Sequence, residues 1–310
     1  MKYSFVIPCY RSSATIEKVV TMTMEEMRNE EIEFVLVNDG SPDEGKTSAK
    51  IKQLAEKFSN VTAVDLAKNA GQQNAVMCGL NVAAGEYIIC MDDDMQTHPS
   101  QIHKLIEKMS EGYDVVYAYY PEKEHAWFRN LGSKFSSWTV RKLIGKPKWL
   151  KTSSFWIAKR FVRDYVIQYK NAYVFMPGLF LRTTSNIGNI EVTHFAREEG
   201  TSGYNLKALI KLWSNILGFS IRPLRLASIL GGVFSVIGFL GALLVIIRKI
   251  FFGIEITGWA SLIVVNCFFS GIILIFLGLI GEYLGRMFLS SGNQPQYVIR
   301  EIKRNEENEK

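Results

Sequence analysis

The stretch "GEYIICMDDDMQTHPS", Gly85 to Ser100, decides how the rest of the chain is read. An apolar run with the make-up of a buried strand ends abruptly in Asp92, Asp93 and Asp94. Three adjacent carboxylates repel one another unless positive charge sits among them. At a strand end successive side chains point to opposite faces, so Asp92 and Asp94 share a side while Asp93 points elsewhere. Two carboxylates on one side make a site for a hard divalent cation, magnesium or manganese, and Gln96 can add a carbonyl oxygen at the same spacing. The plainer reading is an acidic helix cap, a role that Thr97 or Ser100 fills without three Asp.

Upstream, short apolar runs alternate with amphipathic stretches. "YSFVIP" is followed by a helical pattern over Ala14 to Met27, then "EFVLVND", a helix over about Thr47 to Phe58, "VTAVDL", and a helix over about Gln72 to Ala84. This alternation predicts a mostly parallel sheet with helices on both faces, whose ligands bind beyond the carboxyl ends of the strands. Polar residues fall at those ends: Tyr10 after Pro8, then Asn38 to Ser41, Asp65, and the Asp triplet. Any one of them reads equally well as a turn or a surface residue. Their shared position predicts one crevice.

The 310 residues divide sharply in character. Up to about Tyr204 charged and apolar residues mix as in a water-facing α/β domain. "LASILGGVFSVIGFLGALLVII" (226–247) and "ASLIVVNCFFSGIILIFLGLIGEY" (260–283) are each long and apolar enough to span a bilayer, which takes about 20 residues. The expected division is therefore a domain over 1–204, an amphipathic interfacial segment over 205–225, spans over 226–248 and 260–283, and a cytoplasmic tail over 284–310. Lys207, Lys211, Arg222 and Arg225 precede the first span and Arg286, Arg300, Lys303 and Arg304 follow the second, so both flanks read as cytoplasmic and the protein as a multi-pass protein of the inner or plasma membrane. "MKYSFVIPCY" carries no signal-peptide pattern. The net charge of +6 is concentrated beside the spans, which fits a lipid surface better than nucleic acid. Cys9, Cys78, Cys90 and Cys267 show no paired spacing and read as reduced thiols, and the four His form no ligand cluster. A metal held by few protein ligands suits a phosphorylated substrate, and the lack of a GxxxxGK[ST] loop removes the main support for a P-loop enzyme.

"VIPCY", "VNDGS", "KNAGQQNAVMCGL" and "MDDDMQTHPSQI", in this order and spacing, resemble the family 2 inverting glycosyltransferases of GT-A nucleotide-sugar fold. With "HFAREEGTSGYNLKALIKLW" and two spans ending "GLIGEYLGRMF", nearly the whole chain resembles the polyprenyl-phosphate branch, which includes dolichol-phosphate mannose synthases, bactoprenol glucosyltransferases and the undecaprenyl-phosphate aminoarabinose transferase. The resemblance implies a nucleotide site of Pro8, Tyr10, Asp39, Asp65, Lys68, Asn69, Gln72 and Asp92, and a metal held by Asp92, Asp94 and Gln96. It places Arg197, Ser202 and Tyr204 over the phosphates, and Arg129 with Ser133 or Lys134 at the lipid phosphate. The implied reaction moves one sugar from a nucleotide sugar to undecaprenyl or another polyprenyl phosphate. Because that acceptor is already anionic, a general base is optional, and Asp93 or Asp94 stands nearest to the role. The relatives also imply a homotetramer.

Three positions depart from the family pattern. Arg11 and Ser12 follow the first-strand Tyr where many relatives have Asn-Glu, Gly203 replaces a Lys in the "GTSGY" loop, and Lys151, Thr152 and Ser153 occupy a region where relatives commonly carry an acidic residue. The last departure implies a different donor sugar. Two other readings compete: a processive polysaccharide synthase, which lacks here its QxxRW motif and sufficient spans, and a non-catalytic membrane scaffold, against which both metal Asp residues argue.

Overall fold

The computed structural model describes residues 2–121, 145–171, 173–193, 195, 222–252, 258–291 and 295–305. In chain order the elements are β1 (Tyr3–Cys9), α1 (Ile16–Glu26), β2 (Ile32–Asn38), α2 (Lys46–Lys57), β3 (Val61–Leu66), α3 (Gln72–Val82), β4 (Tyr87–Cys90), α4 (Ile102–Ser110), β5 (Val115–Tyr119) and β6 (Trp156–Lys159). They continue with α5 (Arg160–Val166), α6 (Met176–Thr183), β7 (Ile187–Glu191), α7 (Arg222–Phe252), α8 (Trp259–Ser291) and β8 (Ile299–Lys303). The strands form one sheet in the order β7-β5-β6-β4-β1-β2-β3-β8. β1 pairs in parallel with β2 and β4, and β2 with β3, while β6 and β8 run antiparallel to their neighbours. The expected mostly parallel sheet with a helix after each early strand is the one found.

Burial on both faces explains why the early strands read as unbroken apolar runs. On one face Phe5, Ile7, Phe34, Leu36 and Ile89 pack with Ile16 and Val19 of α1, Ile51 and Leu54 of α2, and Leu105 of α4. On the other face α3 lies against β1. Gly79 permits that approach, because a Cβ there would stand 2.3 Å from Val6 Cγ1.

The tail expected over 284–310 divides into two pieces. Residues up to Ser291 continue α8, and Ile299–Lys303 return as β8 on the edge of β3, where the Ala67 N–H also donates to the Val298 carbonyl at 2.8 Å. Lys52 of α2 pairs with Glu301 at 2.8 Å. Met1–Asn215 and Gln294–Lys310 thus form one unit, and Ile216–Asn293 a second. The second unit holds two apolar windows, Ala227–Ile247 and Val265–Leu289, of mean hydropathy 2.6 and 2.1, and neither is buried within the chain. Side chains such as Phe239, Ile250, Leu274 and Phe288 lie open, an apolar surface far larger than a water-facing helix tolerates. These two helices are long and apolar enough to cross a membrane.

Candidate active site

The chain steps from β1 through β2 to β3 on one side and then returns to place β4 on the other side of β1. That reversal opens a crevice at the carboxyl ends of β1 and β4, the position where open α/β sheets bind ligands. The register sets Cys9 beside Asn38 and Asn38 beside Asp65, so three strand ends finish level at one rim. Pro8 lies buried within β1, and Tyr10, half-exposed, is the first residue beyond it.

Asp39 is buried just past β2 and grips the loop that leads into α3. Its carboxylate accepts the Ala70 N–H at 2.6 Å, the Gly71 N–H at 2.9 Å and the Asn69 side-chain amide at 3.2 Å. The predicted nucleotide residue therefore shapes the loop carrying Lys68 and Asn69, both exposed at the rim. Gly40 makes the turn possible: its φ is +56°, and a Cβ would stand 2.4 Å from the Asn69 nitrogen.

Asp65, also buried, is held from two sides. Asn38 donates to it from Nδ2 at 2.6 Å, and Arg300 Nη1 from the returning tail lies 3.8 Å from its Oδ2. The Arg300 side chain also donates to the Ala67 carbonyl at 3.0 Å. β8 slips register opposite Asp65 and Leu66, which leaves Arg300 as the extra residue of a bulge and turns it toward the rim.

Strand β4 stops at Cys90, before the acidic triplet, so pleat alternation does not sort the three carboxylates. The backbone instead bends, with Met95 at φ +63°. Asp92 accepts the Gln72 side-chain amide at 2.9 Å on Oδ1 and the Ser154 hydroxyl on Oδ2. Asp93 accepts the Tyr10 backbone N–H at 3.0 Å, and Asp94 accepts the Gln96 backbone N–H at 3.0 Å. Burial, with the neighbouring carboxylates adding, pushes the Asp92 pKa up to about 6, and burial raises that of Asp93 as well. These are oxygen ligands of the hard kind, crowded until their acidity suffers, and they fit a divalent cation. Among the described residues no three His, Cys, Asp or Glu side chains converge as a metal cage. The protein would thus offer carboxylates on one side and leave the remaining positions to water and diphosphate oxygens.

A cleft of about 220 Å³ lies beside Asp92. One row of laterally paired residues on neighbouring strands contributes to it: Cys90 of β4 beside Trp156 of β6, and Trp156 beside Tyr117 of β5. Gln72, Gln73 and Val76 of α3, Thr152 to Ser154, and Phe175 to Pro177 line the rest. Phe180 supports this row, 4.8 Å centroid to centroid from Trp156 and 6.0 Å from Tyr117. Burial raises the pKa of Cys9, Cys78 and Cys90, that of Cys78 to about 12, which keeps these thiols protonated at neutral pH.

The structure thus brings together Tyr10, Asp39, Asp65, Asn69, Gln72 and the Asp triplet along one rim. Arg129, Ser133, Lys134, Arg197, Ser202 and Tyr204 lie outside the described residues. Sequence reasoning missed Ser154, Tyr117 and Arg300. Ser154 adjoins the departure noted at Lys151 to Ser153, whereas no spacing signal links Arg300 to Asp65.

A model of glycosyl transferase family 2 matches residues 4–183. The undecaprenyl-phosphate 4-deoxy-4-formamido-L-arabinose transferase of Proteus mirabilis is 32% identical over 97% of this chain and 94% of its own. An uncharacterised glycosyltransferase of Bacillus subtilis is 33% identical over the same shares of the two chains. The crystal structure of a mycobacterial protein, 16% identical, superposes with a TM-score of 0.50 over 71% of this chain and 74% of that one, and so shares the fold. With the family model covering 4–183, the part of the chain that holds this crevice, and a transferase 32% identical over 97% of the chain, the chain belongs to glycosyl transferase family 2 and is a glycosyltransferase.

Proposed function

We propose that the protein transfers a single sugar, with inversion, from a nucleoside diphosphate sugar to undecaprenyl or another polyprenyl phosphate, with its catalytic domain on the cytoplasmic side of the membrane. The observation that carries this reading is the reach of the likeness: the Proteus mirabilis transferase named for undecaprenyl phosphate matches 97% of the chain, both apolar helices included. The scaffold reading has no comparable support.

Within this reading the rim of Asp39, Asp65 and the Lys68–Gly71 loop orders the nucleoside, and Asp92 and Asp94, with Gln96, hold magnesium or manganese. When bound, the cation supplies charge neutralisation to the departing diphosphate. The chain's own contribution is placement. Gln72 and Ser154 fix the Asp92 carboxylate, Asp93 ties the end of β1 to the acidic loop, and the anionic lipid phosphate attacks the anomeric carbon without needing a strong base. The two apolar helices keep the chain where its lipid acceptor resides, and a homotetramer is the proposed assembly.

The test is to incubate the purified full chain in vesicles with undecaprenyl phosphate, magnesium or manganese, and a panel of nucleotide sugars. Mass spectrometry should find one sugar on lipid monophosphate, and Asp94→Ala should abolish it while still inserting into vesicles. A polymer, or sugar on lipid diphosphate, would sink the reaction type. Undiminished turnover by the variant would remove the metal assignment.

A further inference from the structure

Arg300 is an exposed cation on an edge strand, and edge strands carry charge simply to discourage pairing with other chains. Its neighbours in β8 fit that plain account. Glu301 pairs with Lys52 at 2.8 Å and Lys303 lies 3.5 Å from Glu56, both partners on α2. Arg300 does not follow them. As the extra residue of the bulge it folds back over the carboxyl end of β3, where it donates to the Ala67 carbonyl at 3.0 Å and stands 3.8 Å from Asp65 Oδ2. A bulge of this kind re-aims one side chain, and bulges gather beside active sites.

The hydrogen-bond donors nearest to it are already committed. Asn69 gives its side-chain amide to the Asp39 carbonyl at 3.0 Å and to the Asp39 carboxylate at 3.2 Å. Asp39 also takes the Ala70 and Gly71 N–H groups, and Asn38 donates to Asp65. The guanidinium is in a different position. Of its five N–H donors the Ala67 bond uses one, and the Asp65 contact is an ion pair too long for a hydrogen bond. It is thus held in place from two sides with donors to spare at an exposed rim.

The sheet sets what those donors can meet. In the order β4-β1-β2-β3 the end of β3 lies three strand spacings from that of β4, about 14 Å. That is beyond a diphosphate held at Asp92 and Asp94 and within reach of the ribose and base attached to it. Bases and ribose offer carbonyl and hydroxyl oxygens, which a guanidinium fork recognises well. The family model ends at residue 183, so it does not reach this residue.

We infer that Arg300, supplied from beyond the second apolar helix, is a binding residue for the donor substrate and donates hydrogen bonds to its nucleoside. This rests on the transferase reading above and adds to it a part of the nucleotide site that the returning tail brings.

The experiment uses the purified full chain and Arg300→Gln, with calorimetry in the presence of manganese against UDP, GDP, CDP, dTDP and inorganic pyrophosphate. The nucleoside diphosphate that the parent binds should bind Arg300→Gln about three- to tenfold more weakly, the reach of one hydrogen bond. Pyrophosphate, which lacks the nucleoside, should bind both proteins alike, a split that a merely structural arginine does not produce. In the parent, phenylglyoxal labelling of Arg300, read by peptide mass spectrometry, should be slowed by that nucleotide and not by pyrophosphate. Unchanged nucleotide affinity in Arg300→Gln, an equal loss for pyrophosphate, or labelling that the nucleotide does not slow overturns the inference and leaves the transferase reading standing. Failure of the parent to bind any of the nucleotides overturns the two together.

Discussion

The carboxylate of Asp93 accepts the backbone N–H of Tyr10 at 3.0 Å, joining the end of β1 to the acidic loop after β4 across the sheet's switch point. This bond ties the two margins of the crevice, and it identifies Asp93 as a tether between them. The middle carboxylate of the triplet thereby acquires work distinct from that of its neighbours.

Asp93→Asn keeps an acceptor for that N–H, whereas Asp93→Ala leaves it bare. The Ala variant should lose about 0.5–1.5 kcal/mol of stability, since Tyr10 is exposed and water can reach the freed N–H, and raise the KM for nucleotide sugar, while Asn stays near the parent in both. A general base behaves otherwise: its Asn variant would drop kcat by about 10²–10⁴. Denaturant melts and steady-state kinetics on the two variants separate the roles.

Gly40→Ala tests the loop that Asp39 holds. The added Cβ would meet the Asn69 nitrogen at 2.4 Å, in a backbone conformation of φ +56° that alanine enters at a cost of about 1–2 kcal/mol before any clash is counted. The neighbouring chain there is backbone and cannot step aside cheaply. The variant should unfold at a markedly lower temperature, and what remains folded should bind nucleoside diphosphate weakly because Lys68 to Gly71 no longer close on Asp39. Thermal melts with calorimetry on the folded fraction would read both.

The first half of this fold was legible because its strands are buried on two faces and separated by helices of ordinary length. Apolar runs at Tyr3, Ile32, Val61 and Tyr87 then stand out, and the polar residues that follow them mark the rim. The alternation argument for Asp92 and Asp94 failed at its premise, since the strand stops at Cys90. Asp39 was found from sequence but not its task, because grip on the Ala70 and Gly71 amides is a matter of loop closure. Tyr117 and Ser154 meet at one cleft only through the pairing of β5 with β6, an antiparallel register that sequence periodicity does not report.

On the proposed metal assignment, Asp92 should link pH to cation binding. Its pKa, pushed up to about 6 by burial and by Asp94 and Asp93, exceeds that of the unfolded chain, so across roughly pH 4 to 6 the folded state holds a proton the unfolded state has lost. Its contribution to stability is therefore full below that window and is lost as pH rises through it. In metal-free protein, Asp92→Asn should gain in melting temperature relative to the parent between pH 4 and pH 7. Millimolar magnesium or manganese at pH 7 should raise the parent and leave the variant unmoved. Parallel pH curves for the two proteins would remove the carboxylate from the explanation.

The returning tail offers the sharpest separation of anchoring from folding. Arg300 is 62% exposed and 3.8 Å from Asp65, so Arg300→Gln should cost under about 1 kcal/mol. Removal of residues 295–310 takes away far more. The β3 edge loses its β8 partner, Gln296 no longer donates to the Tyr169 and Asn171 carbonyls at 2.7 and 2.8 Å, and Tyr297 leaves Cys78. An unpaired β3 edge also invites association between chains. The truncated protein retains both apolar helices and should still enter vesicles, yet amide exchange over Val61–Leu66 should accelerate sharply and transfer should fall with it. Arg300→Gln should leave that exchange near the parent rate. Equal protection of β3 with and without the tail would show that β8 contributes nothing to the domain's stability.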